Sequence, residues 1–248
     1  MHIRLIRHAT FIVRIAGKTV LIDPMFSPKE TFQPTAGTVN PRMNPLIDLP
    51  CPVGELTCVD AVFVTHMHKD HWDESAAEAL PKEIPVFCQP CDGEALQGAG
   101  FKNVVEVADT AEWGGIRVSR TGGRHGSGTL RLLMGTVSGY VFQSEDKTLY
   151  VAGDTVWCPE VALALERFRP DVTIVFAGEA RFELGSPITM GSGDIGRILA
   201  ASETKVVAGH MDAWNHCVLS RETLRKDMEA EGFSGRVFVP ENGEWLTP

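Results

Sequence analysis

The sequence predicts a mixed α and β fold in which two β-sheets are flanked by helices. Three observations predict it. The first part of the chain is dominated by short β-rich runs joined by turns. The second part alternates helical and strand-like segments. No repeat, low-complexity tract or linker divides the 248 residues. A chain of this length exceeds the usual domain size, yet sandwiches and barrels of this size often form one unit, so residues 1–248 are read as a single domain.

Taken in order, Phe11 to Ile15 and Thr19 to Asp23 form a hairpin around Ala16-Gly17-Lys18, closed by Asp23-Pro24. Residues 27–52 are dense in Pro, Asn, Thr and Gly without a sustained period and read as a long loop. Loops of that length in compact domains are usually functional or disordered. Ala61 to Thr65 is a short apolar run that reads as a buried strand, and Asp73 can cap a helix from Glu74 to Leu80. Short strands follow at Val86 to Cys88, Val104 to Val107 and Ile116 to Arg120. A meander of Leu130 to Met134, Gly139 to Gln143 and Thr148 to Val151 comes next, turning at Glu145-Asp146-Lys147. Helices at Glu160 to Phe168, Gly193 to Ala201 and Arg221 to Glu229 then alternate with strands at Val172 to Phe176, Lys205 to Ala208 and Val237 to Val239.

Hydrophobic residues make up 44% of the chain and charged residues 22%, enough to close a sizeable core. The formal charge of -9 supplies no electrostatic footprint for a nucleic-acid backbone or an anionic membrane. The start, MHIRLIRHATFIVRI, lacks the apolar core and cleavage site of a signal peptide, and no apolar run reaches membrane-spanning length. A cytoplasmic protein is expected, with a small molecule as its partner and a homo-oligomer left open. The six cysteines are irregularly spaced and read as reduced thiols. Cys88-Gln-Pro-Cys91 lacks the second pair of a zinc ribbon and the surroundings of a redox motif.

Chemistry concentrates at His66-Met67-His68-Lys69-Asp70-His71. In an extended segment residues two apart share a face, so His66 and His68 can approach one ion together, with Asp70 following. A turn into the next helix brings His71 into reach. Imidazole and carboxylate suit zinc, manganese or iron, and no cysteine lies in the run to form a thiolate site. Three further residues stand just after apolar strands and a glycine or glycine-rich turn: His125, Asp154 and His210. Each alone reads first as a turn aspartate or a hydrogen-bonded histidine; their shared strand-end position groups them.

With Thr65 through His71, His125, Asp154 and His210 in view, the sequence resembles the metallo-β-lactamase superfamily over nearly the whole chain. Leu21-Ile22-Asp23-Pro24 resembles the family's early strand and Gly209-His210 its late one. The Asp-Pro at 23–24, Gly-Asp-Thr at 153–155 and Ile188-Thr189-Met190 are most similar to the broad branch that includes ascorbate 6-phosphate lactonase. The resemblance implies an α+β fold, a four-layer αββα sandwich of two mixed β-sheets with the site along one edge. It implies two divalent metal ions, zinc first and manganese or iron as alternatives. His66, His68 and His125 would hold the first, Asp70, His71 and His210 the second, and Asp154 would bridge them. Classical β-lactamases use cysteine where Asp154 stands, so antibiotic hydrolysis is not implied.

The expected activity is hydrolysis of a small, anionic ester, lactone or phosphodiester by a metal-activated hydroxide, with Asp70 also orienting or deprotonating the water. His216 is placed for substrate contact or proton transfer, or equally for a structural hydrogen bond. Arg124, Arg181 and Lys69 could meet an anion, although solvated charge is the simpler reading, and Glu179 shares a specificity loop with Arg181. His8 is a candidate substrate contact from the amino-terminal strand, or a supporting residue. Asp23 could receive a hydrogen bond from a ligand histidine or close a turn. Rival readings on the same cluster are an RNA-processing nuclease, which the acidic balance opposes, a mononuclear iron dioxygenase, and a non-catalytic metal-stabilised sensor or binding module.

Overall fold

The computed structural model describes residues 1–248. Its first sheet holds β1 (His2–Arg7), β2 (Thr10–Ile15), β3 (Lys18–Ile22), β4 (Ala61–Phe63), β5 (Pro85–Cys88) and β6 (Asn103–Glu106). The second holds β7 (Thr110–Trp113), β8 (Ile116–Gly122), β9 (Ser138–Gln143), β10 (Thr148–Val151), β11 (Val172–Phe176), β12 (Lys205–Gly209) and β13 (Val237–Phe238). The chain then returns to the first sheet, where β14 (Trp245–Leu246) pairs with β1. The helices are α1 (Val53–Leu56), α2 (Glu74–Ala79), α3 (Gly93–Gly98), α4 (Gly128–Met134), α5 (Pro159–Phe168), α6 (Ser192–Ala201) and α7 (Arg221–Ala230).

Each sheet has seven strands and changes character halfway across. Strands β1 to β3 and β7 to β10 pair antiparallel with their chain neighbours, through short turns except between β8 and β9, where α4 intervenes. Strands β3 to β6 and β10 to β13 pair parallel. Parallel neighbours need crossovers, and α2, α3, α5, α6 and α7 lie in those crossovers. A cluster of 22 buried residues, Phe63, Phe87, Phe142 and Phe176 among them, joins the inner faces of the two sheets. Separate clusters pack α5, α6 and α7 on the second sheet and α1, α2 and α3 on the first. The result is the four-layer αββα sandwich.

Local departures from the sequence reading have local causes. Leu130 to Met134 belongs to helix α4 rather than to a strand. Its Leu132 and Leu133 are 80% and 71% exposed, so the apolar run that reads as a strand is not part of the sheet interior. The amino-terminal alternation forms β1, whose buried side includes Ile3 and Leu5. The short elements β7, β14, α1 and α3 carry too few residues to set a period. Residues 27–52 are irregular, with one isolated bridge between Phe32 and Asn44. No helix is long and apolar enough to cross a membrane.

Candidate metal centre

Parallel strands share one direction, so their carboxyl ends open on the same edge, where loops carry the polar residues. Asp23 follows β3, Thr65 to His71 follow β4, His125 follows β8, Asp154 follows β10 and His210 follows β12. At Gly153, φ is +73° and an added Cβ would lie 2.3 Å from the Ser138 carbonyl oxygen. Glycine is what lets the chain turn Asp154 inward there.

The seven candidate ligands converge. The donor atoms of His66, His68 and His125 lie within 4.8 Å of one another, as do those of His8, Asp70, His71 and His210, and those of His66, His71 and Asp154. Asp154 stands centrally: one carboxylate oxygen is 3.3 Å from His71 Nε2 and 3.5 Å from His125 Nε2, and the other is 3.4 Å from His210 Nε2. Asp70 Oδ2 is 3.3 Å from His210 Nε2 and 3.7 Å from His71 Nε2.

Residues outside the cluster hold these rings in place. Asp23 accepts from the Thr65 backbone N–H and hydroxyl, each at 2.7 Å, and lies 2.8 Å from His71 Nδ1, leaving Nε2 to face the site. The His125 Nδ1–H donates to the Ile188 carbonyl at 2.8 Å. Such partners fix the tautomer and orientation of a ligand ring.

A cation fits what these groups lack. His71 Nε2, Asp154 Oδ1 and His210 Nε2 are buried without a hydrogen-bond partner. Each buried, unpaired polar atom costs about 1–3 kcal/mol. Imidazole and carboxylate lone pairs converging in one place are the donor set that zinc, manganese or iron takes.

Electrostatics in the metal-free chain follow from the same crowding. Burial opposes the charged form of His71, but Asp154, Asp70 and Asp23 reverse this and hold it well above its usual value. For His210 burial is likewise outweighed, chiefly by Asp154, and its pKa rises to about 10. Burial pushes Asp154 and Asp70 up, yet the neighbouring histidines leave both well below the carboxylate range. His66 is driven down by burial and by His71.

The neighbouring carboxylates thus favour a proton on both rings in the metal-free chain, whereas ligation requires their lone pairs. Metal uptake then competes with protons for these rings, so affinity is expected to rise with pH, with a slope set by the number of protons displaced. Calorimetric titration in buffers of different ionisation enthalpy measures that number. Affinity that stays flat from neutral to alkaline pH would contradict it.

The cluster opens into a cavity of about 480 Å³, lined by His68, Lys69, Asp70, His125, Asp154 and His216, by Thr31, Gln33 and Thr35, and by Phe32, Met134, Phe182, Ile188 and Trp214. His216 Nε2 is 3.7 Å from Asp70 Oδ2, and burial lowers its pKa to about 4. Several expected substrate contacts stand elsewhere. Arg124 does not line the cavity; its Nε donates to both Glu160 carboxylate oxygens at 3.0 and 2.9 Å. Arg181 pairs with Glu179, and neither residue lines the cavity. Each arginine is already neutralised by a carboxylate. His8 is fully buried beneath the site, not on the cavity wall, with Nε2 3.1 Å from Asp70 Oδ2.

Sequence reading passed over Asn215, which ties the 27–52 loop to the site. Its backbone N–H donates to Asn44 Oδ1, its Oδ1 accepts from Thr35 N and Asn44 Nδ2, and its Nδ2 donates to Thr38 Oγ1 and the Asn40 carbonyl, at 2.7–3.0 Å. Trp214 beside it donates from Nε1 to Thr35 Oγ1 at 3.0 Å. Asn215→Leu strands several buried partners. It is expected to cost about 3 kcal/mol, or about 8 °C in Tm, and to raise KM more than it lowers kcat. Thermal melts and steady-state kinetics check both; unchanged KM would detach the loop from substrate binding.

Two back-to-back mixed sheets with a histidine and aspartate cluster along their carboxyl edge define a metal-binding protein of the metallo-β-lactamase fold. Comparison with known proteins carries this further. A β-lactamase superfamily domain model matches residues 18–213. The UPF0173 protein YddR of Bacillus subtilis is 42% identical, with both chains covered completely. A UPF0173 metal-dependent hydrolase of Methanopyrus kandleri is 27% identical over 98% of each chain. Among solved structures, the isothiocyanate hydrolase from Delia radicum gut bacteria superposes with a TM-score of 0.95 and 38% identity, covering 100% of this chain and 99% of that one. The chain belongs to the β-lactamase superfamily and, within it, to the UPF0173 family of metal-dependent hydrolases.

Proposed function

We propose that this chain hydrolyses a small, neutral electrophile carrying an apolar substituent, specifically an isothiocyanate. The observation that carries the reading is the cavity wall. Phe32, Phe182, Ile188, Met134 and Trp214 surround the space above the ligand cluster, while Arg124 and Arg181 are engaged by Glu160 and Glu179. A binding site made mostly of apolar surface with a few convergent polar groups suits a ligand of the same character. The full-length likeness to an isothiocyanate hydrolase agrees with it.

His66, His68 and His125 would hold one divalent ion and Asp70, His71 and His210 a second, with Asp154 between them; zinc is the first candidate. Bound there, the ions supply an activated water at neutral pH and a Lewis acid for the bond under attack.

The chain's own residues supply the rest. Asp70 accepts a hydrogen bond from the attacking water and orients it towards the central carbon of R–N=C=S. His216, kept neutral by burial, stands where it can hydrogen-bond the substrate nitrogen or sulfur. The aromatic wall holds R and excludes bulk water. Water oxygen bonds to carbon and one of its protons goes to nitrogen, giving a thiocarbamic acid; its second proton then moves to nitrogen as the C–N bond breaks with its electron pair going to the amine, and carbonyl sulfide leaves.

A second reading, a small anionic ester, lactone or phosphodiester, is favoured by Lys69 alone. It is exposed at the cavity, with Nζ 5.8 Å from the Phe32 ring centroid.

A substrate panel separates the two. The metal-loaded protein is expected to turn over an arylalkyl isothiocyanate, with amine release as the readout. Trp214→Ala is expected to lower kcat/KM about 10-fold, in line with about 1.5 kcal/mol of lost apolar contact. Turnover of anionic lactones or phosphodiesters, sensitive to Lys69→Ala and without isothiocyanate hydrolysis, would overturn the first reading.

A further inference from the structure

We infer that His8 is a positioning residue that braces the ligand pair Asp70 and His210, and so sets the geometry of the second cation position. The inference rests on the two-position reading above. His8 occupies the tight turn between β1 and β2 at φ +58°, and His210 directly follows β12 at φ +59°. Left-handed backbone at a bulky, non-glycine residue is uncommon, and two such residues are here in contact.

The His210 N–H donates to the His8 carbonyl at 2.7 Å, and the two imidazole centroids are 3.6 Å apart. Gly209 permits the approach: an added Cβ would lie 2.4 Å from the Phe11 ring and 3.2 Å from the His8 carbonyl oxygen. His8 Nε2 meanwhile lies 3.1 Å from Asp70 Oδ2. One buried side chain thus touches a ligand from the 66–71 run and a ligand far along the chain.

His8 falls within the donor group of Asp70, His71 and His210, so a ligand role has to be weighed against bracing. Ring spacing decides between them. Two imidazoles bound side by side to one ion, each with a metal–nitrogen bond of about 2.1 Å, hold their centroids more than about 4 Å apart. At 3.6 Å and an interplanar angle of 37°, His8 packs against a ligand ring rather than sharing its ion. Nor does it line the cavity, so it does not touch substrate.

Cobalt(II) titration of the metal-free protein, followed by ligand-field absorption, tests the brace without reference to turnover. His8→Phe keeps a ring against His210 and loses the Asp70 contact; His8→Asn keeps a polar donor and loses the ring. A His68→Ala variant, lacking a donor of the other position, assigns the two binding events.

Affinity at the Asp70 and His210 position is expected to fall about 10–100-fold in both His8 variants, the range for lost support of a ligand. The His66, His68 and His125 position is expected to stay at its wild-type affinity. Unchanged affinity at both positions, or an equal loss at both, overturns the brace. A wild type that takes up one equivalent refutes the two-position reading instead. The single affinity then decides on the brace: weaker binding in both His8 variants supports it, and unchanged binding overturns it.

Discussion

Asp154→Ala is expected to lower kcat/KM by about 1,000-fold or more, which is about 4 kcal/mol of transition-state stabilisation. Asp154 is 1% exposed, and its two carboxylate oxygens face His71, His125 and His210. Its carboxylate thus lies beside rings brought from three separate strand ends. Without it, the three imidazoles that share its carboxylate lose their common counter-charge, so both metal retention and the activated water suffer. Asp154→Asn keeps the volume and removes the charge, and it is expected to fall nearly as far. Elemental analysis alongside steady-state kinetics separates lost metal from lost chemistry. Turnover within a few-fold of wild type would remove Asp154 from the centre.

Stripping the metal is expected to destabilise the fold as well as stop hydrolysis. A ligand that binds only the native state stabilises it by about 4 kcal/mol at a free concentration 1,000 times its Kd. For a chain of this size that corresponds to about 10 °C in Tm. Part of that difference is the burial of His71 Nε2, His210 Nε2 and Asp154 Oδ1, which lack a hydrogen-bond partner in the metal-free chain. Melting curves with and without a chelator, restored by added zinc, measure the difference. A Tm insensitive to both would mean that these groups do not hold the ion.

The ligand cluster was legible because strand ends expose it in the sequence. His125, Asp154 and His210 each follow a β-rich run and a glycine or glycine-rich turn, and that local grammar reports which edge they occupy even though they are far apart in the chain. The substrate wall was not legible. Phe32, Phe182 and Trp214 stand in irregular segments without a period, and only the folded loops bring them together. Arg124 and Arg181 misled for a related reason. Their positions near the site follow from the sequence, but their partners Glu160 and Glu179 become visible only once α5 and the 177–191 segment are packed. In the fold, Leu130 to Met134 failed as a strand because an exposed apolar helix and a short strand present similar residues, and burial alone distinguishes them.

Stepwise reconstitution of the metal-free chain, with bound metal and turnover measured on the same samples, tests the account most directly. Two equivalents of a divalent ion per chain are predicted, with hydrolysis rising as the second is taken up and lost again in Asp154→Ala. Full hydrolysis by a chain carrying no metal, or full hydrolysis in Asp154→Ala, would contradict it.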